Sequence, residues 1–152
     1  MVVRRAEAQR VSEPETVEDV LALIEERPAD AELLQTLGRL YLKAGRLDEA
    51  RAAYERSLAL APDDPWTHLY LGNWFYHVGR RREALAEFER AAELLPGEAI
   101  VYTCQGDIHK AQGRHDLAEE AYRTAVRVAP DDALARRKLA EWYEFRYGEG
   151  RG

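Results

Sequence analysis

Apolar positions recur along the chain every three or four residues, which is the spacing of one face of an α-helix. In residues 31–44 these positions are Leu34, Leu37, Leu40 and Tyr41. The segment that follows carries small and aromatic side chains at the same spacing, and Pro62 ends it. The pattern predicts two short helices joined by a turn at Gly45, because glycine suits the left-handed end of a helix.

This helical hairpin returns with a period of 34 residues. The repeating columns are Gly38, Gly72 and Gly106; Gly45, Gly79 and Gly113; Ala50, Ala84 and Ala118; Tyr54, Phe88 and Tyr122; and Pro62, Pro96 and Pro130. A period of this length indicates an array of stacked hairpins. Gly38 lies inside a predicted helix, where glycine costs about 1 kcal/mol relative to alanine. We therefore expect a neighbouring helix to approach there too closely for a Cβ.

The spacing of Leu-Gly-x-x-aromatic, Ala-x-x-x-aromatic and Pro resembles the tetratricopeptide repeat. Three consecutive repeats match, at residues 31–64, 65–98 and 99–132. The third repeat departs from the pattern, because Gln105 replaces an apolar residue and His109 replaces an aromatic one. The resemblance implies an all-α fold, in which antiparallel helix pairs form a right-handed superhelical array (an α-solenoid).

The same register extends past both ends of these repeats. A half repeat at residues 16–30 contains a predicted helix, Val17–Glu26, with Thr16 as its N-cap. A final predicted helix spans Ala133–Tyr147, so the array predicts a single domain over residues 13–147. The segments expected to be a disordered N-terminus and a flexible tail are residues 1–12 and 148–152.

The resemblance implies that the first helix of each pair lines a concave face, which holds a peptide or a helix of a partner. Trp66, Tyr70, Asn73 and His77 share one stripe of such a helix. The candidate partner-binding residues are Arg39, Lys43, Trp66, Tyr70, Asn73, His77, Asp107 and Lys110. The alternative interpretation is that the stripe is packing or inert surface, and that Arg39 and Lys43 belong to a solvated face.

Some tetratricopeptide domains clamp the terminal carboxylate of heat-shock chaperones with a fixed set of Lys, Asn and Arg side chains. The matching positions in this chain are Gln35, Arg39, Tyr70, Ile100 and Cys104. Only Arg39 has suitable chemistry, so we predict that this clamp is not formed.

A second hypothesis is self-assembly through the ends of the array. The predicted array begins with an unpaired second helix and ends with an unpaired first helix that is rich in aromatic residues. Its candidate self-association residues are Trp142, Phe145 and Tyr147. The two ends differ in charge, with −4 over residues 1–30 and +2 over residues 133–152. Opposite charges favour a head-to-tail contact between copies, and hence a homo-oligomer.

Composition and motifs point away from enzymes and nucleic-acid binders. The net charge is −6, without the basic surface that nucleic acid requires. The four histidines lack zinc-ligand spacing, the lone Cys104 is expected to be a packing residue, and no glycine-rich phosphate loop is present. The sequence therefore predicts a non-enzymatic interaction module with no cofactor and no metal. Its partner would be another protein or a peptide of unknown identity.

Hydropathy gives no sign of a membrane partner. No apolar run is long enough to span a bilayer, and the basic N-terminus is not followed by the apolar core of a secretory signal. These features favour the cytoplasm, although a periplasmic protein whose signal had been removed would look the same.

Overall fold

The computed structural model describes residues 14–148 of the chain, and within them it contains eight α-helices and no strand. The helices are α1 Val17–Glu26, α2 Ala31–Lys43, α3 Leu47–Leu60, α4 Pro65–His77, α5 Arg81–Leu94, α6 Ala99–Ala111, α7 His115–Val128 and α8 Ala133–Tyr147. The predicted all-α class is confirmed. The expectations for residues 1–12 and for the tail beyond Gly148 lie outside the described residues. None of the helices in the described part is long and apolar enough to cross a membrane.

Acidic side chains begin several of the first helices. Asp30, Asp64 and Asp132 each accept a hydrogen bond from the backbone N–H three residues later, at 3.1, 3.1 and 2.7 Å. Thr16 caps α1 in the same way. Such a side chain satisfies one of the free N–H groups at a helix start. Asp64 and Asp132, which follow Pro62 and Pro130, therefore cap the helices that come after them.

Two sets of glycines shape each hairpin. Gly45, Gly79 and Gly113 end the first helices with φ of 74°, 79° and 71°, the left-handed conformation expected there. The glycines inside the first helices have a different role. A Cβ on Gly72 would lie 2.6 Å from a ring carbon of Phe88. The predicted close approach is therefore made by the aromatic ring of the second helix in the same hairpin.

Helices pack in sequential order along the array. The closest pairs are α2 with α3, α4 with α5 and α6 with α7, and each hairpin then contacts the next. In addition, α2 contacts α4 and α6 contacts α8. The first helices α2 and α4 therefore lie side by side, as do α6 and α8, and each pair builds a shared surface.

The hydrophobic core is continuous from Val20 in α1 to Ile108 in α6. Beyond that point the buried residues fall into separate small clusters, which are Ala99 with Ala125 and Ala135, and Ala118 with Tyr122 and Trp142. The division occurs in the hairpin where Gln105 and His109 depart from the repeat pattern. Both side chains are partly exposed, so neither fills the core as Leu71 does one repeat earlier.

Candidate functional site

An open depression of about 380 Å³ lies between α2 and α4, which belong to successive hairpins. It is lined by Arg39, Leu42, Lys43, Tyr54, Tyr70, Asn73 and His77. All of these residues except Tyr54 belong to the two first helices. The depression therefore lies on the surface that the first helices build.

Five of the eight predicted partner-binding residues line this depression. They are Arg39, Lys43, Tyr70, Asn73 and His77. Trp66 stands on the same helix as the last three, with 38% of its surface exposed, but it does not line the depression. The C-terminal part of the stripe predicted on α4 thus lies in the same depression as two cationic side chains of α2.

Three side chains, one each from α2, α3 and α4, contact one another at the depression. The Arg39 guanidinium lies 5.4 Å from the centroid of the Tyr70 ring. The Tyr70 ring in turn stacks on Tyr54, with centroids 6.0 Å apart and an interplanar angle of 24°. A cation over an aromatic face at an exposed site contributes about 0.5–1 kcal/mol. The stack therefore holds the charge of Arg39 at the depression without fixing it strongly.

Tyr54 also lines the depression, although the sequence patterns did not mark it as a candidate binding residue. Its side chain is fully buried, and its hydroxyl has no hydrogen-bond partner among residues 14–148. Burial raises the pKa of Tyr54, and the positive charge of Arg39 opposes that rise. The hydroxyl therefore stays protonated and is able to donate. A signal for it existed in the repeat columns, because Arg39 stands where the third repeat has an aspartate, which would accept from a tyrosine.

Asp107 and Lys110 of α6 lie apart from the depression and already have partners. Lys138 of α8 donates to the two Asp107 carboxylate oxygens at 2.8 and 3.0 Å, and the Tyr122 hydroxyl donates to Oδ1 at 2.6 Å. The Lys110 ammonium lies 4.5 Å from the centroid of the Phe145 ring. Both residues are used in contacts among α6, α7 and α8.

The three candidate self-association residues differ in exposure. Trp142 is 1% exposed and packs against Tyr122 and His115, with ring centroids 6.0 and 5.5 Å apart. It therefore offers no surface to a second copy, because its ring fills the contact between α7 and α8. Phe145 and Tyr147 are 51% and 60% exposed, so the outer face of α8 does carry accessible aromatic surface.

The Cys104 thiol is not activated as a nucleophile. Cys104 packs partly buried against the core, and burial, with a smaller effect of Asp107, raises the pKa of its thiol to about 12. The thiol is therefore protonated at neutral pH and is a poor nucleophile. Residues 14–148 contain no group of three or more His, Cys, Asp and Glu side chains placed to hold a metal ion.

Comparison with known families matches most of the array to one kind of repeat. A family model described as TPR repeat matches residues 38–79, and one described as tetratricopeptide repeat matches residues 69–132 and 103–144. No curated protein sequence matches the chain.

Solved structures of the same architecture are similar at low sequence identity. TTC0263, a thermophilic TPR protein from Thermus thermophilus, aligns with a TM-score of 0.77 at 21% identity, covering 83% of this chain and 70% of that one. A crystal structure of MamA aligns with a TM-score of 0.71 at 23% identity, covering 88% and 77%. The first TPR of Spaghetti (RPAP3), bound to the HSP90 peptide SRMEEVD, aligns with a TM-score of 0.68 at 20% identity, covering 76% and 91%. At these identities the likeness shows the fold.

Proposed function

Since the chain belongs to the tetratricopeptide repeat family, we propose that it is a non-enzymatic protein–protein interaction module. It would hold a peptide or a helix of a partner protein in the depression between α2 and α4. The observation that carries this proposal is the convergence of cationic, aromatic and amide side chains from two hairpins on one open depression.

The lining residues suit a polypeptide ligand. Tyr70 offers an aromatic face, which gives a large contact area at a small entropy cost. The partly buried Asn73 amide can donate to and accept from a peptide backbone. Arg39 and Lys43 add positive charge at one edge. This combination supports an extended or helical segment that is not purely apolar.

Peptide binding by a protein of similar fold supports this use of the surface, since the Spaghetti domain is bound to an HSP90 peptide. We propose a different partner for this chain, because the clamp positions carry other chemistry. The Gln35 amide donates to Asp64 of the same array. Cys104 is a protonated thiol packed on the core. Neither can supply the cation or free amide that a terminal carboxylate would need.

The proposal is tested by capture of the partner from extracts of the native cell. Replacing Trp66 and Asn73 together by alanine should abolish capture, because both belong to the stripe on α4 and neither is needed for the core. A matched control replaces Arg56 and Leu60, both exposed on α3, by alanine. Helicity and melting temperature should stay close to those of the unmodified protein in both variants. Equal capture by the stripe variant and the control would show that the partner does not use this surface.

A second candidate function is self-assembly, and the outer face of α8 favours it. Tyr143, Phe145 and Tyr147 are all exposed on this helix, with the last two each showing more than half of their surface. Tyr143 and Tyr147 stand one turn apart with ring centroids 6.1 Å apart, and such a pair of exposed rings is typical of an interaction surface. Phe145 lies on another side of the helix, against Lys110 and His115. Contact between copies through α8 would leave the depression between α2 and α4 free, so the two functions are compatible.

A further inference from the structure

The third hairpin shows how this array surrounds a carboxylate. The Tyr122 ring packs on Gly106, and its hydroxyl donates to Asp107 at 2.6 Å. Lys138 of the next first helix completes the site with an ion pair at 2.8 Å. One side-chain carboxylate is thus held between a tyrosine hydroxyl from a second helix and a cation from a first helix.

The first hairpin has the same tyrosine but no carboxylate. Tyr54 packs on Gly38 as Tyr122 packs on Gly106. The next residue in the first helix is Arg39, which has no acceptor to offer, whereas Asp107 stands there in the third hairpin. The fully buried Tyr54 hydroxyl consequently lacks a partner within residues 14–148. A buried donor left unpaired is destabilising, so an acceptor brought by a ligand would bind with a gain in free energy.

The charges around the depression favour an anionic acceptor. Arg39 and Lys43 contribute two cations from α2, and His77 stands opposite them on α4. No aspartate or glutamate is among the residues that line the depression. Arginine binds carboxylates through paired charge-assisted hydrogen bonds, which are stronger than those between neutral groups. A carboxylate is therefore the ligand group that satisfies both the cations and the hydroxyl.

We propose that the depression between α2 and α4 binds an aspartate or glutamate side chain of the partner. Its carboxylate accepts a hydrogen bond from Tyr54 and pairs with Arg39, as Asp107 does with Tyr122 and Lys138 inside the chain. Arg39 is exposed and lies over the Tyr70 ring without an ion pair to any of residues 14–148, so it can turn aside to admit the ligand and then close on it. The inference rests on the function proposed above and adds the chemistry that the partner must carry.

A side-chain carboxylate fits this position better than a chain terminus. Tyr54 is fully buried and its ring stacks on Tyr70, so the crowding around its hydroxyl favours a ligand group with few substituents next to the carboxylate. The carboxylate of Asp or Glu stands on one or two methylene groups. A terminal carboxylate is attached directly to a Cα with its own side chain, which is bulkier at the point of entry.

The test is a titration of the full chain followed by NMR, with three small probes. Blocked aspartate (N-acetyl-aspartate N-methylamide) carries only a side-chain carboxylate, N-acetylalanine carries only a terminal one, and blocked asparagine carries neither. For ligands of this size we expect the blocked aspartate to bind with a Kd on the order of millimolar. Its shifts should centre on Lys43, Asn73 and His77. Blocked asparagine should bind about tenfold more weakly or worse, since it lacks the charge.

Variants of the two proposed ligand contacts make the titration specific. Tyr54→Phe and Arg39→Gln should each weaken binding of blocked aspartate by about tenfold, the cost of one hydrogen bond to a charged group. Phe88 occupies the equivalent position in the second hairpin, so Tyr54→Phe is compatible with the fold. Tyr76→Phe on α4 and Arg56→Gln on α3 lie outside the depression and should leave binding unchanged.

The outcomes separate this inference from the function on which it rests. If blocked aspartate does not bind, or binds equally well to Tyr54→Phe, the carboxylate site is wrong even where partner capture still requires Trp66 and Asn73. Tighter binding of N-acetylalanine would overturn the assignment in favour of a chain terminus. If blocked aspartate binds at Tyr54 but the variant lacking the Trp66 and Asn73 side chains still captures the partner, the carboxylate site stands and the proposed function fails.

Discussion

At the scale of single residues, the array depends on pairs of positions in which a small residue on one helix makes room for a large side chain on the other. In each hairpin a glycine of the first helix leaves room for an aromatic ring of the second, as Gly72 does for Phe88. Glycine at this position lowers the helix propensity of the first helix. The aromatic ring that fills the space compensates, because it makes apolar contact between the two helices. Neither the glycine nor the size of the ring can change alone without loss.

Replacing Gly72 by alanine tests this exchange. Alanine is the better helix former, yet its Cβ would meet the Phe88 ring at 2.6 Å. We expect a net loss of about 1–3 kcal/mol in the free energy of unfolding, measured by urea denaturation. Gly97→Ala is the control, because its Cβ would enter open space and should change stability little. An alanine at position 72 that leaves the protein equally stable would refute the close approach.

The column of Tyr41, Phe75 and His109 is a second residue-scale feature. In the first two hairpins an arginine lies over the ring, with the guanidinium 4.5 Å from the Tyr41 centroid and 4.8 Å from the Phe75 centroid. In the third hairpin the ring is His109, and the nearby Arg114 repels its protonated form. Burial, and then the charge of Arg114, lower the pKa of His109.

This lowered pKa gives a pH dependence with a definite sign. The unfolded chain binds a proton at His109 near its ordinary pKa of about 6.5, while the folded protein resists that proton. The stability linked to His109 is therefore complete above the unfolded pKa and is lost as pH falls through the folded pKa. His109→Phe should reduce the fall in melting temperature between about pH 7.5 and about pH 5.5. An unchanged fall would show that His109 does not contribute to it.

At the scale of elements, one buried hydroxyl and one ion pair add polar contacts to the packing of Trp142 that attaches α8. Tyr122 of α7 and Lys138 of α8 both bind Asp107 of α6, so three helices meet at one carboxylate. In the first hairpin the equivalent Tyr54 stands without an acceptor in the described residues. The tyrosine hydroxyl thus has a hydrogen-bond acceptor in the third hairpin and none in the first.

Matched tyrosine variants measure this difference. Tyr122→Phe should lower the free energy of unfolding by about 1–2 kcal/mol, because it removes a hydrogen bond to a charged group. Tyr54→Phe should leave the free energy of unfolding unchanged or raise it, since it removes an unpaired buried donor. Denaturation of both variants under the same conditions is the measurement. Equal losses would mean that the Tyr54 hydroxyl has a partner in solution.

The attachment of α8 can also be tested alone. Lys138→Met removes the charge that binds Asp107 and keeps much of the side-chain length. Amide hydrogen exchange should accelerate in α8, because local opening of an end element is set by its own contacts, while exchange in α2 to α5 stays unchanged. Uniform acceleration along the array would contradict the local role of this ion pair.

Helix positions were largely predictable from the sequence because their signals are local. Thr16, the prolines and the glycines with positive φ mark helix ends within a few residues, and the helix over Ala133–Tyr147 has the predicted bounds. The state of Tyr54 was not predictable in this way. Whether the Tyr54 hydroxyl has a hydrogen-bond partner depends on which residue of another helix lies next to it. A periodic sequence pattern contains no information about that contact. The burial of Trp142 against α7 was missed for the same reason.

At the scale of the whole molecule, stacking of nearest neighbours leaves two surfaces with different chemistry. The first helices carry the depression with its cations, and the outer face of α8 carries exposed aromatic rings. Stability in such an array is approximately a sum of hairpin and interface terms. The division of the core near Gln105 therefore predicts that α7 and α8 open before α2 to α5.

Self-assembly through α8 is tested by light scattering over a concentration series. If the exposed rings form an interface, the mean mass should rise with concentration. Replacing Phe145 and Tyr147 by serine should abolish that rise, with helicity measured in parallel because Phe145 also contacts Lys110, His115 and Trp142. Leu117→Ser, which changes an exposed apolar residue of α7, is the control. A single monomeric species up to millimolar concentration would exclude this function.

The proposed partner lies on the surface that α2 and α4 share. Photocrosslinking in the native cell tests it most directly, with a benzophenone amino acid placed at His77 or, for comparison, at Leu60 on the exposed face of α3. We expect position 77 to yield a crosslinked partner and position 60 to yield none. A partner crosslinked from position 60 and not from position 77 would contradict it.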